Sequence, residues 1–260
     1  LDDLDTCVGR LMNTIDELGI ADTTYVFLAS DNGGHQHRWN NPIYRAHLTG
    51  EISSQTDEGE PTIPEDVATD ERLPDNYPLR GAKQWLYEGG IRVPFVVRGP
   101  GIEAGSLSSE PVCLYDLLPT FVDLAGGSIT SLPEEIDGGS LKPVLEGSGA
   151  VKRPLPGLVF HRPLLRFRRG KLLGHASISV FRSDDLKLVW DMVSGDKALY
   201  DLRKDPGETS DLSEQRPEDT ERLHRILSGY LESVNAEMAE PQTAVGGYKE
   251  SITIDDPRRL

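Results

Sequence analysis

Tyr25-Val26-Phe27-Leu28-Ala29-Ser30-Asp31-Asn32-Gly33-Gly34 decides how the rest of the chain is read. Its first five residues are apolar and β-favouring, a pattern that fits a short strand buried on both faces, as in a parallel sheet. Its last five are small or polar, and they fall at the carboxyl end of that strand. In open α/β sheets this is the edge where ligands bind. Glycines at such a place let the backbone turn tightly and come close to a neighbour. Upstream, Leu4, Val8, Leu11, Ile15 and Leu18 recur at helical spacing, and Gly19 follows as a C-cap. Helix, turn, buried strand and polar strand end together predict an α/β layer.

Downstream, residues 35–78 break the pattern. They are polar and proline-containing, and between Glu51 and Asp75 they hold nine acidic residues against one basic residue, Arg72. A stretch of that length without periodicity reads as a functional surface excursion. Order resumes at Leu79-Arg80-Gly81-Ala82-Lys83 and Tyr87-Glu88-Gly89-Gly90-Ile91-Arg92-Val93-Pro94, then a second apolar run, Phe95-Val96-Val97. Leu114, Leu117, Leu118, Phe121, Val122 and Ala125 form a helical stripe ended by Gly126-Gly127. Beyond Pro154 the character changes. Val159-Phe160, Ile178–Phe181, Leu186–Trp190 and Ala198–Tyr200 are short, evenly spaced β-favouring runs, which predict an antiparallel meander. Leu223, Ile226, Leu227, Tyr230, Leu231, Val234 and Met238 mark an amphipathic helix.

Composition excludes several classes. The net charge of −16 disfavours a nucleic-acid binder, which needs a basic face for phosphates. No apolar run is long enough for a membrane-spanning helix. Cys7 and Cys113 have neither metal-ligand spacing nor the density of a disulfide framework, so buried thiols are expected. The chain opens at Leu1, inside a helical pattern and without a signal peptide, so a segment upstream of it is expected.

Candidate chemistry concentrates at two places. Asp31 and Asn32 set a carboxylate beside an amide oxygen, donors that suit a hard cation such as calcium, although Asp-Asn-Gly is equally a turn sequence. Lys83 is a point charge able to hold a tetrahedral anion, or a solvated surface lysine. His35 and His37 follow the first motif and either reach a substrate or line its rim. From Pro154 to Ser183 no acidic residue occurs, while Arg162, Arg166, Arg168, Arg169 and Lys171 cluster. This stretch reads equally as an anion-steering patch or as a solvated hairpin.

Taken in order, Ser30–Gly34, Leu79–Lys83 and Leu86–Pro94 resemble the sulfatase family of the alkaline phosphatase superfamily. Asp116-Leu117-Leu118-Pro119-Thr120, Asp137-Gly138 with Ser140-Leu141, Ala198–Leu202, Asp205-Pro206-Gly207-Glu208 and Asp211-Leu212 extend the resemblance to about Met238. It implies an alkaline phosphatase-like, mostly parallel sheet, present in part, followed by a small antiparallel sheet with a C-terminal helix. Residues 1–150 would be the C-terminal part of the α/β core domain, and 151–260 a small α+β subdomain and tail. It further implies sulfate-ester hydrolysis, the substrate being a sulfated small molecule or glycan. Calcium would be held by Asp31 and Asn32, and Lys83 would be both catalytic and sulfate-binding. His175 would touch substrate by this resemblance, and His35, read from its place after the Asp31-Asn32 motif, is a second substrate-binding candidate.

One part of the family pattern is missing. The nucleophile, a formylglycine made from Cys or Ser, sits in a motif with Pro or Ala two residues on and Arg four residues on. Cys7, Cys113 and every serine lack that context. The nucleophile, the remaining calcium ligands and the leaving-group histidine are therefore expected in an N-terminal half upstream of Leu1, and this chain alone is expected to be inactive. A periplasmic or extracellular location fits the family. Two alternatives stand beside this reading: a phosphate or phosphonate ester hydrolase on the same scaffold, and a non-catalytic remnant that binds anionic glycans.

Overall fold

The computed structural model describes residues 2–34, 76, 78–163, 166–168, 171–173 and 177–239. These residues fall into two compact units. Leu1–Ser30 groups with Pro94–Leu158, and Asp31–Val93 with Val159–Leu260.

In the first unit, helix α1 (Asp2–Glu17) carries three aspartates in its first turn, where negative charge complements the helix dipole. It ends at Gly19, whose φ of +66° is the left-handed conformation that glycine adopts without penalty. The Ile20 amide reaches the Ile15 carbonyl at 3.2 Å and the Gly19 amide reaches that of Asp16 at 3.1 Å, which is the Schellman arrangement. Strands β1 (Val26–Ala29) and β2 (Phe95–Arg98) follow, separated in sequence by the turn α2 (Glu88–Ile91). Arg98 Nη2 donates to Asp16 Oδ1 at 2.5 Å and ties β2 to α1.

The strand-by-strand expectation for this layer is corrected in two respects. β1 and β2 pair with each other antiparallel, in the register Val26↔Arg98 to Ala29↔Phe95. Neither is buried on both faces: Leu28 is 40% exposed and Val96 59%. Among the described residues each strand has only the other as a neighbour, so an apolar run alone sets neither the direction nor the cover. Leu4, Leu11 and Leu18 of the α1 stripe are likewise exposed, and Ile15 alone is buried in that helix.

Asp116 organises the rest of this unit. It precedes helix α3 (Leu117–Leu124) and is fully buried. Its carboxylate accepts from Arg153 Nε and Nη2 at 2.8 and 2.6 Å, from the Cys113 amide at 2.7 Å and from the Gly139 amide at 2.9 Å. Thr120 Oγ1 donates to the Asp116 carbonyl and accepts from the Leu141 amide. The Asp116–Thr120 motif is thus a structural knot that fastens the segment leading into α4 (Lys142–Leu145).

The second unit is built on a four-stranded sheet in the order β3-β6-β7-β8. These strands are β3 (Leu158–Pro163), β6 (Ser177–Ser183), β7 (Leu186–Asp191) and β8 (Lys197–Asp201). β6–β7 and β7–β8 pair antiparallel, as the meander pattern requires. A further antiparallel pair, β4 (Arg166–Arg168) with β5 (Lys171–Leu173), falls inside the basic stretch. Alternation sorts the sheet's side chains into two faces. On one, Phe181, Leu188 and Leu199 lie side by side in register and are fully buried. Helix α5 (Pro217–Ser233) packs on β6, β7 and β8 and buries Leu223, Leu227 and Leu231. It ends before Val234 and Met238, which are exposed rather than part of its apolar stripe. On the other face, Ile178, Val180, Val189, Ala198 and Tyr200 form a core with Tyr87. Among the described residues no helix is long and apolar enough to cross a membrane.

Candidate active site

The polar end of the opening motif is held by backbone hydrogen bonds and by the side chain of Asn76. The Gly33 amide donates to the Gly90 carbonyl at 2.9 Å, and the Lys83 amide donates to the Gly34 carbonyl at 2.9 Å. Asn76 Nδ2 reaches the carbonyls of both Gly34 and Gly81, at 3.0 and 3.1 Å. Two segments far apart in sequence, Asp31–Gly34 and Gly81–Gly90, therefore form one hydrogen-bonded edge. A side chain at Gly33 would run into the Gly89 carbonyl, and one at Gly89 into the carbonyls of Gly81 and Arg80. Only glycine permits that approach.

Along this edge Asp31 is exposed, Asn32 half-buried and Lys83 exposed. The carboxylate of Asp31 and the amide oxygen of Asn32 are hard donors of the type calcium takes. Two such residues are a partial set for an ion that uses about 6–8 oxygens. Among the described residues no group of three His, Cys, Asp or Glu side chains gathers to hold a metal. His35, His37 and His175 lie outside the described residues, as does the 35–78 excursion apart from Asn76 and Pro78. The two thiols divide: Cys113 is half-buried and Cys7 is exposed, contrary to the expectation that both are buried.

Three features of the edge were not read from the sequence. Gln84, next to Lys83, has a φ of +81°, a left-handed conformation uncommon for a residue with a Cβ. Its carbonyl accepts from Arg162 Nη1, so one member of the basic stretch touches the lysine loop. Asn76 lies inside the acidic excursion, where pattern gave it no signal. The third is a group of buried charges behind the loop. Lys187 Nζ donates to Glu88 Oε1 at 2.9 Å and forms an ion pair with Glu208 Oε1 at 2.7 Å, and all three side chains are excluded from solvent. The Glu88 amide donates to Glu208 Oε2 at 2.7 Å. Burial pushes the Glu208 carboxyl above its ordinary range, with Lys187 pulling the other way.

Arg80 borders the same group. Its Nη1 donates to the Tyr200 hydroxyl and to the Glu208 carbonyl, both at 3.2 Å, and its guanidinium lies 4.0 Å over the Tyr87 ring. Burial raises the phenol of Tyr87 to about 12, against the opposing pull of Arg80. Burial also raises Tyr200, whose phenol is further disfavoured in its charged form by Tyr87.

These contacts place a polar strand end and a lysine-bearing loop on one hydrogen-bonded edge. The Sulfatase family matches residues 1–128, and the family described as N-sulphoglucosamine sulphohydrolase, C-terminal, matches residues 81–237; the chain belongs to the sulfatase family. It is 33% identical to human steryl-sulfatase over 150 residues, covering 56% of this chain and 21% of that protein. With human arylsulfatase A it shares 30% identity over 224 residues, covering 81% of this chain and 37% of the other. The chain thus spans roughly a fifth to two-fifths of the length of these relatives. Among solved structures it superimposes with a TM-score of 0.59 and 23% identity on a protein determined in complex with its substrate, D-glucosamine-2-N,6-O-disulfate. That match covers 89% of this chain and 39% of the other, and it shows the shared fold.

Proposed function

We propose that this chain is part of an enzyme that hydrolyses sulfate esters of a glycan, with Asp31 and Asn32 as calcium ligands and Lys83 as the residue that binds the sulfate. The observation that carries this reading is the double backbone link, Gly33 to Gly90 and Lys83 to Gly34, because it joins the cation-type donors and the lysine in one rigid edge. Asp31 and Asn32 would hold a calcium ion together with ligands from outside this chain, and bound there it would supply positive charge toward the sulfuryl oxygens. Lys83, exposed and carried on a loop of fixed backbone, binds one of those oxygens as a point charge. Charge placed in advance against the transferring group lowers the barrier because nothing has to reorganise as the reaction proceeds.

The nucleophile is assigned to a segment outside this chain. Cys7 lies on α1 and Cys113 ahead of α3, and neither has the surrounding motif of a formylglycine precursor. Support for a glycan substrate is the match of residues 81–237 to a family described by an N-sulphated amino sugar. His35 and His175 belong to the same proposal as residues facing the sugar. A periplasmic or extracellular location accompanies it, in keeping with the strongly negative net charge.

The test is release of inorganic sulfate from a set of sulfated mono- and disaccharides by the whole protein, compared with release from matched phosphate and phosphonate esters, with and without chelator. Chelator-sensitive sulfate release is expected. Faster turnover of the phosphate or phosphonate esters would assign the enzyme to the alternative ester class. Tight binding of sulfated sugars without hydrolysis would make it a glycan-binding remnant.

A further inference from the structure

We infer that Glu88, Lys187 and Glu208 form a positioning clamp for the lysine loop, with Glu208 as its hub; the inference rests on the role proposed above for Lys83. Glu88 begins α2, five residues after Lys83 and next to Gly89 and Gly90, the residues against which Gly33 packs. Lys187 projects from near the start of β7 on the face that also bears Arg182 and Tyr200, its cross-strand neighbours in register. Arg182 adds a weaker contact, 3.8 Å from Glu88 Oε2.

Glu208 reaches the loop on both sides of Lys83. Its carbonyl accepts from Arg80, three residues before the lysine, and its carboxylate accepts from the amide of Glu88, five residues after. Glu208 itself has a φ of +53°, and it follows Gly207, where a Cβ would lie 2.8 Å from the Pro78 carbonyl. The backbone therefore holds an uncommon conformation at the residue whose side chain and carbonyl both engage the loop.

Stability alone is a poor explanation for such a group. Two carboxylates and an ammonium without solvent carry a large desolvation cost, and apolar residues of similar volume are frequently as stable or more so. What a buried ionic group does supply is a unique geometry, because any slip leaves a charge unpaired. Here the geometry that becomes unique is the height and register of the loop against the sheet. Through Lys83–Gly34 and Gly90–Gly33 the same loop fixes the Asp31–Asn32 strand end. None of the three residues is placed on substrate; they act through Lys83 and its edge.

A double-mutant cycle in the whole protein tests this, with kcat/KM for sulfate release as the readout. Glu208→Gln is expected to lower kcat/KM by about tenfold to a hundredfold in the wild-type background, the loss that displacing a reacting group by about 1 Å produces. In a Lys83→Ala background the same change is expected to have less than about a threefold effect, since residues acting through one group are not additive. Glu88→Gln is the second variant and has the same expectation, should Glu208→Gln not fold. Equal losses in both backgrounds would make the group merely structural and overturn the inference. If Lys83→Ala has no effect by itself, the proposed site and the clamp both fall, which separates the two failures. Hydrogen exchange of the wild-type protein needs no variant: the Gly33 and Lys83 amides should be protected as strongly as those of β7. Rapid exchange at those two amides, with β7 protected, would contradict a clamp.

Discussion

The amide of Lys83 lies 2.9 Å from the carbonyl oxygen of Gly34, so the lysine is bonded through its own backbone to the strand end that carries Asp31 and Asn32. Position on this edge is set by main chain, and it tolerates little added volume. Gly33→Ala places a methyl group against the Gly89 carbonyl. Relief requires the two segments to separate, and overpacking of this kind costs about 1–3 kcal/mol. The expected outcome is a lower urea midpoint together with a fall in kcat/KM. Gly9→Ala, where an added Cβ meets nothing, serves as the comparison: it should leave kcat/KM unchanged and raise the midpoint slightly, because alanine is favoured over glycine inside a helix by about 0.5–1 kcal/mol.

Asp31→Ala should weaken calcium binding. Loss of groups that merely orient metal ligands lowers affinity by roughly 10–100-fold, and loss of a ligand should cost no less. Calorimetric titration of the metal-free whole protein measures this directly. An unchanged dissociation constant would remove Asp31 from the metal site.

Asp116 and Arg153 give a prediction confined to stability. Their doubly bonded pair is buried, with side-chain exposures of 0% and 7%. Arg153→Ala leaves the Asp116 charge with only two backbone amides, and breaking a buried pair in this way costs about 3–5 kcal/mol. Thermal unfolding should show a large drop in Tm. The KM of protein that remains folded should be unchanged, because this knot lies in the unit that holds neither Asp31 nor Lys83.

Alkaline pH should destabilise the second unit. The Tyr87 phenol is raised from 10.0 to about 12 in the fold. Between those values the folded state keeps a proton that the unfolded state has lost, so stability falls as pH rises through the window. A shift of this size corresponds to something on the order of 2 kcal/mol for Tyr87 at the top of the window. Its hydroxyl is buried without a hydrogen-bond partner among the described residues, so Tyr87→Phe should be near neutral at pH 7. Denaturant midpoints from pH 9 to 11.5 should fall less steeply for the phenylalanine variant. Parallel curves would contradict the assignment.

Local pattern made part of this legible. The strand before Ser30, the strands of the meander and the cores of α1 and α5 follow from apolar periodicity, and the order of Asp31-Asn32, Lys83 and the Glu88-Gly89-Gly90 turn carries the family resemblance. What pattern could not show depends on partners distant in sequence. Lys187, between Leu186 and Leu188, reads as the solvent side of a half-buried strand, yet the sheet is covered on both faces and the lysine is interior. Its carboxylate partners, Glu88 and Glu208, are 120 residues apart and carry no local signal of pairing. The antiparallel pairing of β1 with β2 is equally non-local, because an apolar run sets neither the cover of a strand nor the direction of its neighbour.

The most direct test of the account is the kinetics of sulfate release from a sulfated disaccharide by the whole protein with Lys83→Ala. The account predicts a fall in kcat/KM of roughly two to three powers of ten, the loss expected when one donor to a charged oxygen is removed from a preorganised site. An unchanged kcat/KM would mean that Lys83 is a solvated surface residue and that sulfate is held elsewhere.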